Sequence, residues 1–319
     1  MELDRLDEQI LAELDNNARQ SNSRIAKKLR VNKNVVNYRI KNLEKAGVIS
    51  GYYGVIDNYR LGYSSYRAYL KLRNAGPKKE KQIMDYLVKL PQTWWIGSIK
   101  GRFNMGALFL VKTQKEFVDV WNELHELFRE FVNEERVVVY CGLEHYRLPF
   151  TKKCLREDAG FESVGVGETT EVDKTDMELL RFISENGRAS LIEIAKKVNL
   201  TPAAISYRIR QLERKKVILG YRAVVDMARL GYTLYKVDIN LKDAEKYGTV
   251  QRFARAHENI FYLDKTVGWA DAEISVYARS PQQFYSIMDG IREKFTEEIT
   301  DYDFFAYSEI TKIVYMPVE

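Results

Sequence analysis

Apolar positions along the chain switch between two spacings, and the switch occurs twice in the same order. Leu6, Ile10, Leu11 and Leu14 recur at helical spacing behind Asp4 and Asp7, acids suited to an N-cap and first turn. Ser21 can cap a second helix with Ile25, Ala26 and Leu29 on its buried side. A third helix is expected from about Lys33 to Ala46, with Val36, Ile40 and Leu43 facing the core and Gly47 as its left-handed stop. The segment VISGYYGVID that follows is expected to form a β-hairpin. After Leu61-Gly62-Tyr63 the period falls to two. SYRAYLKLR reads as a strand, residues 78–90 as a helix stopped by Pro91, and TWWIGSIKG and MGALFLVKT as strands around a turn at Gly101–Asn104. Residues 114–131 are amphipathic through Phe117, Val120, Trp121, Leu124 and Phe128, and VVVYCGLEHYRL is a last strand. The order β-α-β-β-α-β is ferredoxin-like.

The text then repeats. Residues 3–63 and 172–232 align without gaps at 25 of 61 positions, and the later halves align more weakly at an offset of 167. Copy two makes its caps explicit: Ser190 with Glu193 forms a capping box, and Thr201 precedes Pro202 at a helix start. VILGYRAVVD is its expected hairpin. The fold class is therefore α+β, two winged helix-turn-helix domains and two ferredoxin-like domains in tandem. The boundaries are 1–60, 61–148, a linker at 149–171 expected to be loop, 172–229 and 230–319.

Charge sharpens this picture. Net charge is +5 over 319 residues, yet residues 1–60 carry +3, residues 172–229 carry +5, and the remainder is negative. Segregation of this kind favours a polyanion at the two helix-turn-helix segments over simple solvation. Apolar residues, 45% of the chain, suffice for ordinary cores. No run approaches a membrane span, and the acidic N-terminus is no secretory signal. Cys141 and Cys154 stand in no metal-binding or CxxC spacing, so reduced thiols and a cytoplasmic location are expected. No cofactor or metal motif is present.

Side chains near a recognition helix's N-terminus can reach base edges in a major groove. On the outward face of copy one these are Lys33, Asn34 and Asn37, with Lys41 beyond. In copy two, about residues 202–215, they are Thr201, Ala203, Ser206 and Arg210. Asn can pair bidentately with adenine, Lys can reach guanine acceptors, and Ala or a Thr methyl can meet a thymine methyl. Tyr38-Arg39 and Tyr207-Arg208 do not vary between copies, which suits phosphate positioning or support of the helix. One chain is thus expected to read two unlike half-sites, unless one copy serves only as an electrostatic clamp.

Each copy resembles the Lrp/AsnC (feast/famine) family of transcriptional regulators. The resemblance rests on LDRLDEQILAEL, IAKKL, YRIKNLEKAGVISGY and VIDNYRLGY, matched by VDKTDMELLRFI, IAKKV, YRIRQLERKKVILGY and VVDMARLGY. It implies double-stranded DNA as partner, a RAM-type ferredoxin-like domain for oligomerisation as a homodimer or pseudo-dimer, and often an amino-acid effector. The family's GxxD turn resembles Gly268-Trp269-Ala270-Asp271, whereas copy one has Gly101-Arg102-Phe103-Asn104, with Asn for Asp. Some tandem relatives are sirohaem decarboxylases. Such an enzyme would need histidines at a tetrapyrrole site. Of His125, His145 and His257, the first falls on an amphipathic helix and the last near a helix end, where solvated or capping roles fit. A ligand-sensing module without DNA binding is a third reading, with Trp94, Trp95, Trp121 and Trp269 as lining. Intact basic recognition helices favour the regulator over both.

Overall fold

The structure, a computed structural model, describes residues 3–155, 160–165 and 167–317. In copy one α1 (Arg5–Asn16), α2 (Asn22–Leu29) and α3 (Lys33–Lys45) precede β1 (Ile49–Ile56). The ferredoxin-like part follows as β2 (Ser64–Leu72), α4 (Pro77–Lys89), β3 (Thr93–Lys100), β4 (Met105–Val111), α5 (Gln114–Phe128) and β5 (Val132–His145). A connecting segment holds α6 (Pro149–Leu155) and β6 (Glu162–Val164). Copy two runs α7 (Lys174–Glu185), α8 (Leu191–Val198), α9 (Pro202–Arg214), β7 (Ile218–Val225), β8 (Thr233–Leu241), α10 (Tyr247–Ala256), β9 (Ile260–Val267), β10 (Ala272–Ala278), α11 (Pro281–Lys294) and β11 (Ile299–Ile313). The expected caps form. Asp4 accepts from the Asp7 N–H at 2.9 Å, Ser21 from Arg24 at 3.2 Å, and Thr201 from Ala204 at 3.2 Å; Ser190 and Glu193 complete their capping box.

Two expectations are corrected. The segments after the third helices are not hairpins. Each is one strand, and β1 pairs antiparallel with β7 across the copies. Gly54 does not turn the chain; a Cβ there would lie 2.6 Å from the Ile183 side chain, so it lets α7 approach the strand. The connecting segment is likewise structured where described; residues 156–159 and 166 of the expected loop lie outside the described residues. The start of α6 docks on α1, with the Leu148 N–H on Asp15 at 2.9 Å and Phe150 in the copy-one core, and β6 pairs with the end of β5.

The β1–β7 register places Tyr53 opposite Arg222, Gly54 opposite Tyr221 and Tyr52 opposite Ala223. Tyr53 and Arg222 are equivalent positions, so a local two-fold passes through this pair and relates the two helix-turn-helix units. Strands are exchanged between cores. Ala223 and Met227 of copy two pack with α1–α3, and Tyr53, Val55 and Ile56 of copy one pack with α7–α9.

Each ferredoxin-like half has its four strands in the order expected of that fold, β5-β2-β4-β3 and β11-β8-β10-β9. The halves then join edge to edge at both sides, β5 with β9 and β3 with β11. The result is a closed ring of eight antiparallel strands with no free edge within it. Outside, α4 and α5 cover Ala68, Leu70, Ile96, Ala107 and Phe109, and α10 and α11 cover Val237, Ile239, Leu263 and Ile274. Alternation sends the intervening residues, Arg67, Tyr69, Lys236, Asp238, Asp264 and Glu273, to the inside.

Candidate nucleic-acid interface and the buried charge of the barrel

The recognition helices are α3 and α9. Val36, Ile40 and Leu43, and Ile205, Ile209 and Leu212, are buried. Lys33, Asn34 and Lys41 are exposed on α3, as are Ala203 and Arg210 on α9 and Thr201 at its cap. Tyr38 and Tyr207 are 65% and 60% exposed, far out for rings of that size. Asn37 and Ser206 are half-buried. The Asn37 carbonyl accepts from the Asn22 amide, and Arg188 of copy two donates to the Asn22 carbonyl. A bidentate adenine contact by Asn37 therefore has to break an existing bond, whereas the Asn34 side chain is exposed and makes no hydrogen bond among the described residues.

Arg39 and Arg208 make ion pairs within their own copies. Arg39 pairs with Asp4 and Asp7, and Arg208 pairs with Asp173 at 2.7 Å and Asp176 at 2.8 Å. The same triad in both copies ties each recognition helix to the N-terminus of α1 or α7. The Asp7 N–H, then Arg39, holds the Asp4 carboxyl below its ordinary range; the Asp176 N–H and Arg208 do the same for Asp173. These arginines support the helix, and their charge is already matched.

The two turns considered for an effector are closely alike in structure. Asp271 accepts from the Leu241 N–H at 2.7 Å, and Asn104 from the Leu72 N–H at 2.9 Å. Asn serves as well as Asp in this role, because either side chain offers the oxygen that closes the end of the strand. Gly101 and Gly268 have φ of 135° and 96°, which only glycine adopts easily. Trp269 crosses to the other turn, against Phe103 and beneath Arg102. Beside Gly268 and Asp271 lies an open cavity of about 570 Å³ that also touches Tyr247 and Lys265.

Of the tryptophans considered as pocket lining, Trp94 and Trp95 border a small space in the barrel, and Trp121 packs on Phe117 outside it. His125 binds Glu135 at 2.7 Å, and His257 ends α10 with its Nδ1 accepting from the Asn259 N–H. His145 is fully buried beside Tyr262 and Tyr315; burial first, then Arg222 and Arg147, push it well below the usual histidine range, so it is neutral.

The residues that sequence reasoning missed are the barrel's charges. Arg67 binds Glu273 through Nη2 and Asp264 through Nη1 at 3.3 Å; Lys236 binds Asp264 and lies 3.3 Å from Glu273. Tyr140 donates to Asp264 at 2.9 Å. Burial would raise the Glu273 carboxyl, but Arg67 and Lys236 more than offset it and keep it ionised. At Asp238 burial, then Glu273, outweigh the opposing pull of Lys236, Trp269 and Arg67 and push it up to about 7. Charges at alternate positions in YRAY and YKVD were the available signal.

Comparison with known proteins agrees with this arrangement. A winged helix-turn-helix DNA-binding family model matches residues 3–50 and again 172–218. The leucine-responsive regulatory protein of Rhizobium meliloti is 36% identical over 81 residues, 23% of this chain and 52% of that protein. An uncharacterised helix-turn-helix transcriptional regulator of Pyrococcus horikoshii is 31% identical over 116 residues, 36% of this chain and 72% of the relative. The chain belongs to the Lrp/AsnC family. The chain spans about half the length of several curated family members it matches. Among solved structures, the siroheme decarboxylase NirDL superposes over 98% of this chain and 94% of its own with a TM-score of 0.65, at 13% identity. At that identity the likeness shows the fold alone.

Proposed function

We propose that this protein is a sequence-specific DNA-binding transcriptional regulator in which a single chain presents two unlike recognition helices to a non-palindromic site. The observation that carries this reading is the pair of exposed, basic recognition helices related by the local two-fold at Tyr53 and Arg222. Two-fold presentation of recognition helices suits two half-sites on a duplex. Here their outward faces differ, Lys33, Asn34 and Lys41 on one and Ala203, Ser206 and Arg210 on the other. Tyr38 and Tyr207, exposed and identical in the two copies, are assigned to phosphate. Changing Asn34 to Ala is expected to relax base preference at one half-site by about 1–3 kcal/mol. Uniform weakening on all sequences in competitive gel shifts would remove Asn34 from base reading. An amino-acid effector is assigned to the cavity beside Gly268 and Asp271, where Lys265 offers a cation for a carboxylate. Thermal shift with the amino acids tests this assignment, and no response to any of them removes it.

The fold shared with a decarboxylase raises an enzymatic reading. A larger seam cavity, about 620 Å³, holds Arg60, Arg147 and Lys216, but the chemistry of the more apolar one weighs against that reading. That space, about 460 Å³ between β7 and the barrel, is lined by Tyr53, Phe261, Tyr262, Tyr277 and Tyr307, with Asp15, Asp226 and Glu309 and no lysine or arginine. The iron-uroporphyrin III analogue bound in a second structure of that decarboxylase is of a tetrapyrrole class with acetate and propionate groups, which those carboxylates repel. Adding the tetrapyrrole should leave its Soret band unchanged; a shifted band would revive the enzyme.

A further inference from the structure

The two copies embrace within one chain, and the buried charges where they meet differ from copy to copy. At the centre of the β1–β7 ladder, equivalent positions hold Tyr53 and Arg222. Arg222 is fully buried and reaches Asp15 of the other copy, Nε–Oδ1 3.0 Å and Nη2–Oδ1 2.6 Å, and donates to the Tyr146 carbonyl at 2.6 Å. Asp15 has Ser184 as its counterpart in copy two.

The barrel repeats the asymmetry with different residues. Arg67 of β2 and Lys236 of β8 are equivalent, so each copy brings one cation. The carboxylates come from copy two alone. Asp264 and Glu273 face each other across β9 and β10, and Gly97 and Gly106 face each other at the same places across β3 and β4. Asp238 has Tyr69 as its counterpart. A Cβ on Gly106 would lie 2.9 Å from the Tyr69 ring, so in copy one an aromatic ring fills the space a carboxylate would need.

We propose that these buried charges form a pairing code, in which the dimerisation surface of each copy accepts the unlike copy and rejects its own kind. Pairing of copy one with itself would bury two Arg67 side chains with no lumenal carboxylate among the described residues, and leave the two Asp15 carboxylates without Arg222, with Arg147 reaching only the Asp15 backbone carbonyl. Pairing of copy two with itself would bury two Lys236 among six carboxylates, and set Arg222 against Arg222, with Ser184 in place of Asp15 and with Glu162, 3.6 Å from Arg222, deprived of Arg147. Only the mixed pair brings Arg222 to Asp15 and Arg147 to Glu162, and Arg67 with Lys236 to the lumenal carboxylates. A buried charge left without its partner is costly, and like charges facing one another select against the wrong partner. The ladder and the barrel are separate clusters, and both select the same pair.

The test cuts the folded chain. A specific protease site is placed within residues 156–159, the full-length protein is folded and cleaved, and cut samples with and without ¹⁵N label are mixed, unfolded in urea and refolded by dilution. Native mass spectrometry then counts the pairs. The code predicts one copy-one fragment with one copy-two fragment, label scrambled between them, and like pairs below one in a hundred. Blind pairing would give like pairs at about a quarter each, which overturns the proposal. Failure to recover unlike pairs where the uncut chain refolds overturns it too. This outcome does not depend on DNA binding.

Discussion

Replacing Arg222 with Met removes one half of a fully buried ion pair and leaves Asp15 behind, itself 1% exposed. With charged atoms 2.6–3.0 Å apart, the attraction at an effective dielectric of about 20 is about 5–6 kcal/mol. Part of that is offset by desolvation, and breaking one side of such a pair costs about 3–5 kcal/mol. Against a folding stability of about 5–15 kcal/mol, this is a large fraction. Urea unfolding followed by far-ultraviolet circular dichroism should show the loss as a lower midpoint. The control is Asp15→Asn together with Arg222→Met. It removes both charges, keeps an oxygen for the Leu148 N–H, and should recover most of the loss. A single variant that costs below about 1 kcal/mol, or a double variant as unstable as the sum of the singles, would refute the reasoning.

The other predictions concern charge and caps. Lys33→Ala should lower the salt slope of DNA binding by about one counterion, whereas Arg39→Ala, whose charge is already paired with Asp4 and Asp7, should lower thermal stability and leave the slope unchanged; equal slopes would put Arg39 on phosphate after all. Asp271→Asn should leave stability near that of the parent in a thermal melt, because Asn104 makes the same strand-closing bond, and Asp271→Ala should lower it by about 0.5–2 kcal/mol. Asp238 has a folded pKa of about 7, above the ordinary carboxyl value of 3.8. The unfolded chain therefore loses its proton first, and stability is lost as pH rises from about 4 to about 7. Asp238→Asn should flatten that fall and unfold at higher urea than the parent at pH 8; an unaltered profile would show that Asp238 titrates normally.

The architecture was legible because each element carried its own signal. Val36, Ile40 and Leu43 fix the face of α3, Ser190 and Glu193 mark a start, and the repeat predicts copy two from copy one. What stayed hidden depends on pairing. VISGYYGVID contains glycines that resemble turn residues, and only the proximity of Ile183 explains Gly54 as a close contact. The linker's composition reads as loop, yet Phe150 packs into the copy-one core with α1. The ion pairs of Arg39 were hidden because its partners, Asp4 and Asp7, lie 35 and 32 residues earlier in the chain. The lumenal charges needed barrel closure to be recognised, since a Lys or Asp at alternate strand positions ordinarily faces solvent.

The central claim is that one chain is a complete two-headed reader. Its most direct test is the native mass of the protein bound to a duplex selected from a random pool. A single chain on a non-palindromic duplex is predicted, with each half-site answering to one of α3 and α9. Two chains required on a palindromic duplex would contradict it.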